Sequence, residues 1–271
     1  MPASFNHLWR WCATAFSFLI FGVGGILLPL LALPILYCLP GTTTQREQRG
    51  QRLIHHAFRC YIGMMKGLGV LSYEVDNREK LRDARLILAN HPSLIDVVFL
   101  IALVPNANCV VKGKLLRNPF TRGALKLAGY IINENNEMVI AAAGEAFAKG
   151  HALIIFPEGT RTTPGMPLNF KRGAANVAIR NGSDITPVLI SCRPGTLSKR
   201  DPWYRVPASK VHIRIRVNDT IPVATWSLES APSLAARKLT ADLADYFTKE
   251  LTLYEQSAAG SKADDYRGTR S

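Results

Sequence analysis

The sequence predicts an α/β domain, a mixed and largely parallel sheet flanked by helices, behind an N-terminal helical membrane anchor. Three observations predict it. From about residue 71 onward, short apolar runs alternate with stretches of helical periodicity, as in a layered α/β sheet. No charged residue occurs between Trp11 and Gln45. The chain has 271 residues, 48% hydrophobic and 20% charged. That is enough for a buried core in a domain of about 200 residues with an appended segment.

The same composition excludes several classes. Global disorder does not fit so apolar a chain. The five cysteines, Cys12, Cys38, Cys60, Cys109 and Cys192, are odd in number and include no C-x-x-C. This argues against a disulfide scaffold or zinc ribbon and for reduced thiols facing a cytosol. No long repeat marks a solenoid or propeller. Thirty-three Lys and Arg against 20 Asp and Glu give a net charge of +13. Such a balance points to an anionic partner: a membrane, a phosphorylated substrate or nucleic acid. Nucleic acid is not expected, because no helix-turn-helix, zinc-finger or RNP-like pattern is present. A basic, membrane-tethered anion-binding protein is the alternative that charge alone leaves open.

Phe16 to Tyr37 is nearly all apolar, about 22 residues or roughly 33 Å as a helix, enough to cross a bilayer. Gly22, Gly24, Gly25, Pro29 and Pro34 allow a kinked span or a re-entrant hairpin. Trp9, Trp11 and Tyr37 resemble interfacial anchors. The run exceeds a usual signal-peptide core, and no clear A-x-A site follows. Gln45 to Val70 reads as an amphipathic helix, with Arg46, Arg49, Arg52, Arg59 and Lys66 on its polar side. One arginine, Arg10, precedes the apolar run and several follow it. The positive-inside rule thus favours a cytoplasmic location for the rest of the chain. The expected organisation is an anchor over 1–70, an α/β domain over 71–255 and a flexible tail over 256–271.

Within the domain, 84–89, 152–156 and 185–191 read as short buried strands. The segment 211–217 (VHIRIRV) alternates apolar and basic residues, as a half-exposed strand does. Helices are expected near 93–104, 118–128, 137–149, 172–181 and 233–254.

Two strand ends carry chemistry. Asn90-His91-Pro92-Ser93-Leu94-Ile95-Asp96 follows the first strand, where open α/β sheets place their sites. His91 suits a general base, and Asp96, in the first helical turn, could hold its tautomer if the preceding loop folds His91 back onto it. Ser93-x-x-Asp96 also matches a capping box, a purely structural use of the same residues. Phe156-Pro157-Glu158-Gly159-Thr160-Arg161 ends a second strand. Gly159 permits close backbone approach, and Arg161 offers a forked contact to phosphate or carboxylate. Glu158 could accept a hydrogen bond from a hydroxyl-bearing substrate. Lys112 and Lys114 could reach anionic groups or simply be solvated. The Arg193–Arg205 loop, with Lys199, Arg200, Trp203 and Tyr204, could face a membrane or a carrier. The adjacent His55 and His56 point to different sides of a helix and show no metal-ligand pattern. Cys60 and Cys109 read as small core residues.

Together, His91-x4-Asp96 and FPEGTR at 156–161 resemble the glycerolipid acyltransferase family, which includes the 1-acyl-glycerol-3-phosphate acyltransferases. The likeness spans roughly 70–220. Phe170-Lys171-Arg172-Gly173-Ala174 and Thr186-Pro187-Val188 agree with it. The resemblance implies transfer of a fatty acyl group from acyl-CoA or acyl-carrier protein to a lysophospholipid hydroxyl. It implies His91 and Asp96 as the catalytic pair, no metal and no cofactor beyond the thioester co-substrate. Glu158, Gly159, Thr160, Arg161, Lys171 and Arg172 would bind substrate. One position departs from the family's pattern. In Gly129-Tyr130-Ile131-Ile132-Asn133-Glu134-Asn135, Asn135 stands where an arginine for acceptor phosphate is expected. The lost charge-assisted contact is worth about 1.5–3 kcal/mol, which turns attention to non-phosphatidate acceptors.

Overall fold

The uncharged N-terminal run forms one continuous helix, α1 (Ala3–Cys38), in a computed structural model that describes residues 3–163, 165–199, 201–227 and 231–268. Pro29 and Pro34 lie inside α1, and the chain does not double back as a hairpin. The glycines and prolines instead serve packing. A Cβ on Gly25 would fall 2.0 Å from the Phe120 carbonyl oxygen, and one on Gly123 would fall 2.4 Å from the Pro29 ring. Small residues thus let two helix backbones meet closely.

The second helix, α2 (Thr43–Gly67), starts at a capping box in which Thr42 and Gln45 bond each other's backbone. Its basic residues spare one face, which buries Ile54, Ile62 and Met65. Strand β1 (Leu71–Asp76) follows, then β2 (Leu86–Ala89), α3 (Asp96–Leu103) and β3 (Ala107–Lys112). Next come α4 (Pro119–Ala128), β4 (Ile131–Asn133), α5 (Asn136–Ala148) and β5 (Ala152–Ile155). The chain continues through α6 (Gly173–Asn181), β6 (Ile185–Arg193), β7 (Val211–Val217), α7 (Ala224–Ser227) and α8 (Pro232–Gly268).

The seven strands lie in the order β1-β7-β6-β2-β5-β3-β4. Every adjacent pair is parallel except β6 with β7. The sheet is therefore mixed and largely parallel, as the sequence implies. The period-2 rule divides its side chains between two cores. Ile87, Ile154, Val188 and Ile190 pack with α2, α3 and α4. Leu86, Leu88, Leu153 and Leu189 pack with α5, α6 and α8.

Three strands escape the sequence reading. β1 is an edge strand with one buried residue, too polar to stand out. β4 has three residues. β3 ends in lysine and follows directly on a Pro-Asn-containing turn. The basic residues of β7 are matched across the register: Arg214 faces Glu74 and Arg216 faces Asp76 on β1. The helix expected from residue 93 begins at Asp96, because 90–95 form a loop. The segment expected as a flexible tail over 256–271 continues α8 to Gly268, and 269–271 lie outside the described residues.

Candidate active site

Five parallel strands deliver their C-terminal ends to one edge of the sheet, in the spatial order β6-β2-β5-β3-β4. The loop after β2 carries His91. Its neighbours are the turn after β5 on one side and the loop after β6 on the other. This is the topological reason why motifs 60 residues apart form one site.

His91 Nδ1 and Asp96 Oδ2 are 2.9 Å apart. With Nδ1–H donating to the carboxylate, Nε2 is left as the basic nitrogen. Asp96 is fully buried, while the His91 side chain keeps 16% exposure, so the imidazole is open to solvent and its partner is not. The same Oδ2 also accepts from the Ser93 backbone N–H at 2.6 Å. The loop-capping and imidazole-holding contacts of Asp96 therefore coexist on one oxygen. Burial pushes the Asp96 carboxyl above its ordinary pKa, and the bonds from His91 and Ser93 oppose that shift. Phe156 stacks on the imidazole at 4.3 Å between centroids and fixes the ring plane.

The turn after β5 is tied to the His91 loop twice. Glu158 Oε1 accepts from the His91 backbone N–H at 3.0 Å, and Thr162 N–H donates to the His91 carbonyl at 2.7 Å. Thr162 Oγ1 donates to the same Glu158 oxygen at 2.7 Å. Glu158 is thus a buried brace through its Oε1. Burial raises its pKa, with these hydrogen bonds acting the other way. Gly159 has φ +62, a left-handed conformation, and the Lys171 side chain runs across it. The Thr160 and Arg161 backbone N–H groups make no hydrogen bond among the described residues.

Two residues at positions expected to meet phosphate make contacts within the protein. Arg161 Nη1 donates to the Leu197 and Ser198 carbonyls at 2.7 and 2.8 Å, clamping the loop after β6. Its Nη1 is turned toward protein because this loop lies beside β2. Asn135 caps α5, its Oδ1 accepting from Glu137 N–H at 2.9 Å. An asparagine at that strand end starts the helix, a role open to its short side chain and closed to arginine. Lys171 and Arg172 are exposed just ahead of α6.

An apolar cavity of about 490 Å³ lies beside Val97 and Val98, next to Asp96. Its walls come from α1 (Phe21, Gly24), α2 (Phe58, Tyr61) and α4 (Ala124, Leu125). Cys60 also lines it and is exposed, unlike the core residue expected, whereas Cys109 is buried. Sequence reasoning could not find this cavity, because four helices, α1 to α4, meet only in the fold to make it. His55 is buried, its Nδ1 2.9 Å from the Ile101 carbonyl oxygen, and His56 is exposed. Among the described residues, no group of three His, Cys, Asp or Glu is placed to hold a metal. Arg200 lies outside the described residues.

The sequence pattern of the family described as Acyltransferase matches residues 72–191. A Caenorhabditis elegans protein provisionally named 1-acyl-sn-glycerol-3-phosphate acyltransferase acl-2 is 30% identical over 220 residues, 77% of this chain and 74% of that one. The 1-acyl-sn-glycerol-3-phosphate acyltransferase of Helicobacter pylori is 34% identical over 114 residues, 40% of this chain and 48% of its own length. The crystal structure of the 1-acyl-sn-glycerophosphate acyltransferase PlsC from Thermotoga maritima superposes with a TM-score of 0.66 at 16% identity, covering 92% of this chain and 98% of that one. That likeness carries the fold, and the sequence matches carry the kinship. The chain belongs to the acyltransferase family, as an O-acyltransferase of the 1-acyl-sn-glycerol-3-phosphate acyltransferase type.

Proposed function

We propose that this protein moves a fatty acyl group from acyl-CoA or acyl-carrier protein to the free hydroxyl of 1-acyl-glycerol-3-phosphate or a close lysophospholipid, at a membrane surface. One observation carries the reading: an imidazole held by a buried carboxylate at 2.9 Å, beside a large apolar cavity.

The chemistry balances without a covalent enzyme intermediate. His91 Nε2 takes the acceptor's hydroxyl proton as the oxygen bonds to the thioester carbonyl carbon. Asp96 supports the imidazolium. The tetrahedral oxyanion collapses, the C–S bond breaks, and the leaving thiolate takes the proton from His91. A positioned base contributes about 10²–10⁴-fold, so alignment and oxyanion stabilisation must contribute the rest. The unpaired Thr160 and Arg161 amides are the oxyanion donors in this reading. The 490 Å³ cavity is within the range of sites that bury small ligands and suits an acyl chain.

Membrane docking follows from α1. It is the one helix among the described residues that is long and apolar enough to cross a bilayer. Yet it is held to the domain along its length. Arg10 bonds the Ala208 carbonyl, Tyr61 Oη donates to the Ser17 carbonyl, and Gly25 abuts Phe120. Its free side exposes Leu8, Trp11, Leu19, Val23, Leu27 and Leu30. A helix with one side on protein and an apolar side outward suits a seat within one leaflet, with the cavity open to lipid. The charge pattern of the sequence favours the cytoplasmic face.

The test is incubation of the purified protein in phospholipid vesicles with acyl-CoA or acyl-carrier protein and 1-oleoyl-glycerol-3-phosphate, read by mass spectrometry. Diacylated product is expected, and it should disappear with His91→Ala while folding and vesicle binding persist. Near-normal transfer by that variant would end the proposal, and acyl release without acceptor would make the protein a hydrolase.

A further inference from the structure

We infer that the segment between β6 and β7 is a second membrane contact, with Trp203 and Tyr204 entering the headgroup layer beside α1 and fixing the height of His91 relative to it. This contact rests on the seat of α1 in one leaflet and on the acyl-transfer reading of the site, both proposed above.

The tip of this segment is a tight turn. The Arg205 N–H donates to the Pro202 carbonyl at 3.1 Å, which puts Trp203 and Tyr204 at the two corner positions. Corners normally carry Gly, Asn, Asp or Ser, whose small or polar side chains suit solvent. Here two adjacent aromatic rings stand there, 45% and 57% exposed and edge to face at 5.8 Å. Among the described residues, Trp203 Nε1 and Tyr204 Oη have no hydrogen-bond partner. An apolar ring with a free polar tip is the side-chain form that concentrates where hydrocarbon gives way to headgroups. The turn is braced at its base: the Ser198 hydroxyl donates to Asp201 Oδ2 at 2.6 Å, and the Asp201 N–H donates to the Ser198 carbonyl at 3.3 Å. Charge agrees with an anionic bilayer surface. Residues 196–210 hold Lys199, Arg200, Arg205 and Lys210 against Asp201 alone.

The aromatic tip is continuous with the outward side of α1. Trp203 rests on Phe18 of α1, ring centroids 5.5 Å apart, and Trp11, two turns earlier on the same stripe of the helix, is itself exposed. His7 Nε2 lies 3.1 Å from the Val206 carbonyl oxygen and Arg10 bonds the Ala208 carbonyl, so the far limb of the segment is fastened to α1. The near limb is fastened to the catalytic loop. Arg161 holds the Leu197 and Ser198 carbonyls, and the Leu94 N–H donates to the Leu197 carbonyl at 3.1 Å. Leu94, three residues from His91, exposes its own apolar side chain. Phe18, Ile95, Leu197 and Trp203 close around one small cavity of about 40 Å³, where helix, catalytic loop and aromatic tip meet.

A single helix lying in one leaflet resists leaving the bilayer but rolls about its own axis. A contact displaced sideways from that axis stops the roll. Because this contact is tied to the His91 loop, the base and the bilayer surface keep one mutual height, and a lysolipid presents its hydroxyl without leaving the interface.

Fluorescence reads the contact directly. The chain has four tryptophans, so the difference between wild type and W203F isolates Trp203. In vesicles of phosphatidylglycerol and phosphatidylcholine, lipids brominated near the top of the acyl chain should quench wild type more than W203F. Lipids brominated near the chain end should quench the two alike. In acyl-transfer assays, W203A/Y204A should raise KM for 1-oleoyl-glycerol-3-phosphate in vesicles about tenfold and keep turnover of a soluble short-chain lysolipid within about twofold. Its Tm should stay that of wild type, and W203F/Y204W should keep the wild-type KM. Equal quenching of wild type and W203F by every brominated lipid, with both proteins bound to the vesicles, overturns the inference. So does an unchanged KM of W203A/Y204A on vesicles. Failure of the α1 seat would show separately, as wild type that does not sediment with vesicles. Failure of the acyl-transfer reading would show as no turnover of any lysolipid by wild type, and the quenching would still decide the contact.

Discussion

The His91 backbone N–H donates to Glu158 Oε1 at 3.0 Å, so the loop bearing the base hangs from the turn of the neighbouring strand. One oxygen receives this bond and the Thr162 hydroxyl. The negative charge is not needed for either bond, since an amide oxygen accepts equally well in geometry.

Glu158→Gln should therefore keep the brace and change the pH dependence of stability. The folded-state pKa of Glu158 is raised from 4.5 by burial. The fold then holds the proton more tightly than the unfolded chain does. Its contribution to stability is full below pH about 4.5 and is lost as pH rises through the raised value. Asp96, shifted in the same direction, adds to this slope. Removing the ionisable group should raise Tm at pH 7, with the gap to wild type closing toward pH 4. A variant less stable than wild type at pH 7 would mean that the charge itself holds the turn.

Asp96→Asn tests how the imidazole is oriented. An amide nitrogen facing His91 would donate to Nδ1 and move the proton to Nε2, the wrong tautomer for a base. kcat should fall about 10²–10⁴-fold with KM nearly unchanged. A comparable rise in KM would indicate that the loop had moved instead.

Two glycines of α2 should respond oppositely to the same change. A Cβ on Gly50 would come within 2.0 Å of the Leu127 carbonyl oxygen, while one on Gly63 meets nothing within 4 Å. Gly50→Ala should cost about 1–3 kcal/mol by forcing α2 from α4. Gly63→Ala should stabilise by about 0.5–1 kcal/mol through helix propensity. Chemical denaturation of both variants reads the difference.

Asn135→Arg should cost about 1 kcal/mol, because the cap on α5 is lost, whereas Asn135→Asp should preserve it. Because Asn135 acts as the α5 cap, KM for 1-acyl-glycerol-3-phosphate should change less than about twofold in the arginine variant. A tenfold improvement would restore the expectation drawn from the sequence, that this position limits phosphate binding.

The sequence by itself determined the elements whose patterns are local. Apolar strands at β2, β5 and β6 announced themselves, because a strand buried on both faces needs continuous apolar residues. The helical periodicities and the apolar N-terminal run were equally plain, and the spacing of His91 and Asp96 was enough to suggest that the loop between them brings imidazole and carboxylate together. Local pattern was silent on what distance in the chain conceals. Whether Asp96 serves cap or imidazole was settled by the fold, which put both donors on one oxygen. Arg161 reads as an anion ligand in its motif, and only the placement of the β6 loop beside β2 turns it to the Leu197 and Ser198 carbonyls. Asn135 looks like a missing charge until α5 begins beside it. The cavity among α1, α2, α3 and α4 belongs wholly to the tertiary structure. Strand order decides which loop ends become neighbours, and that order is fixed by packing across the whole sheet rather than by any single segment.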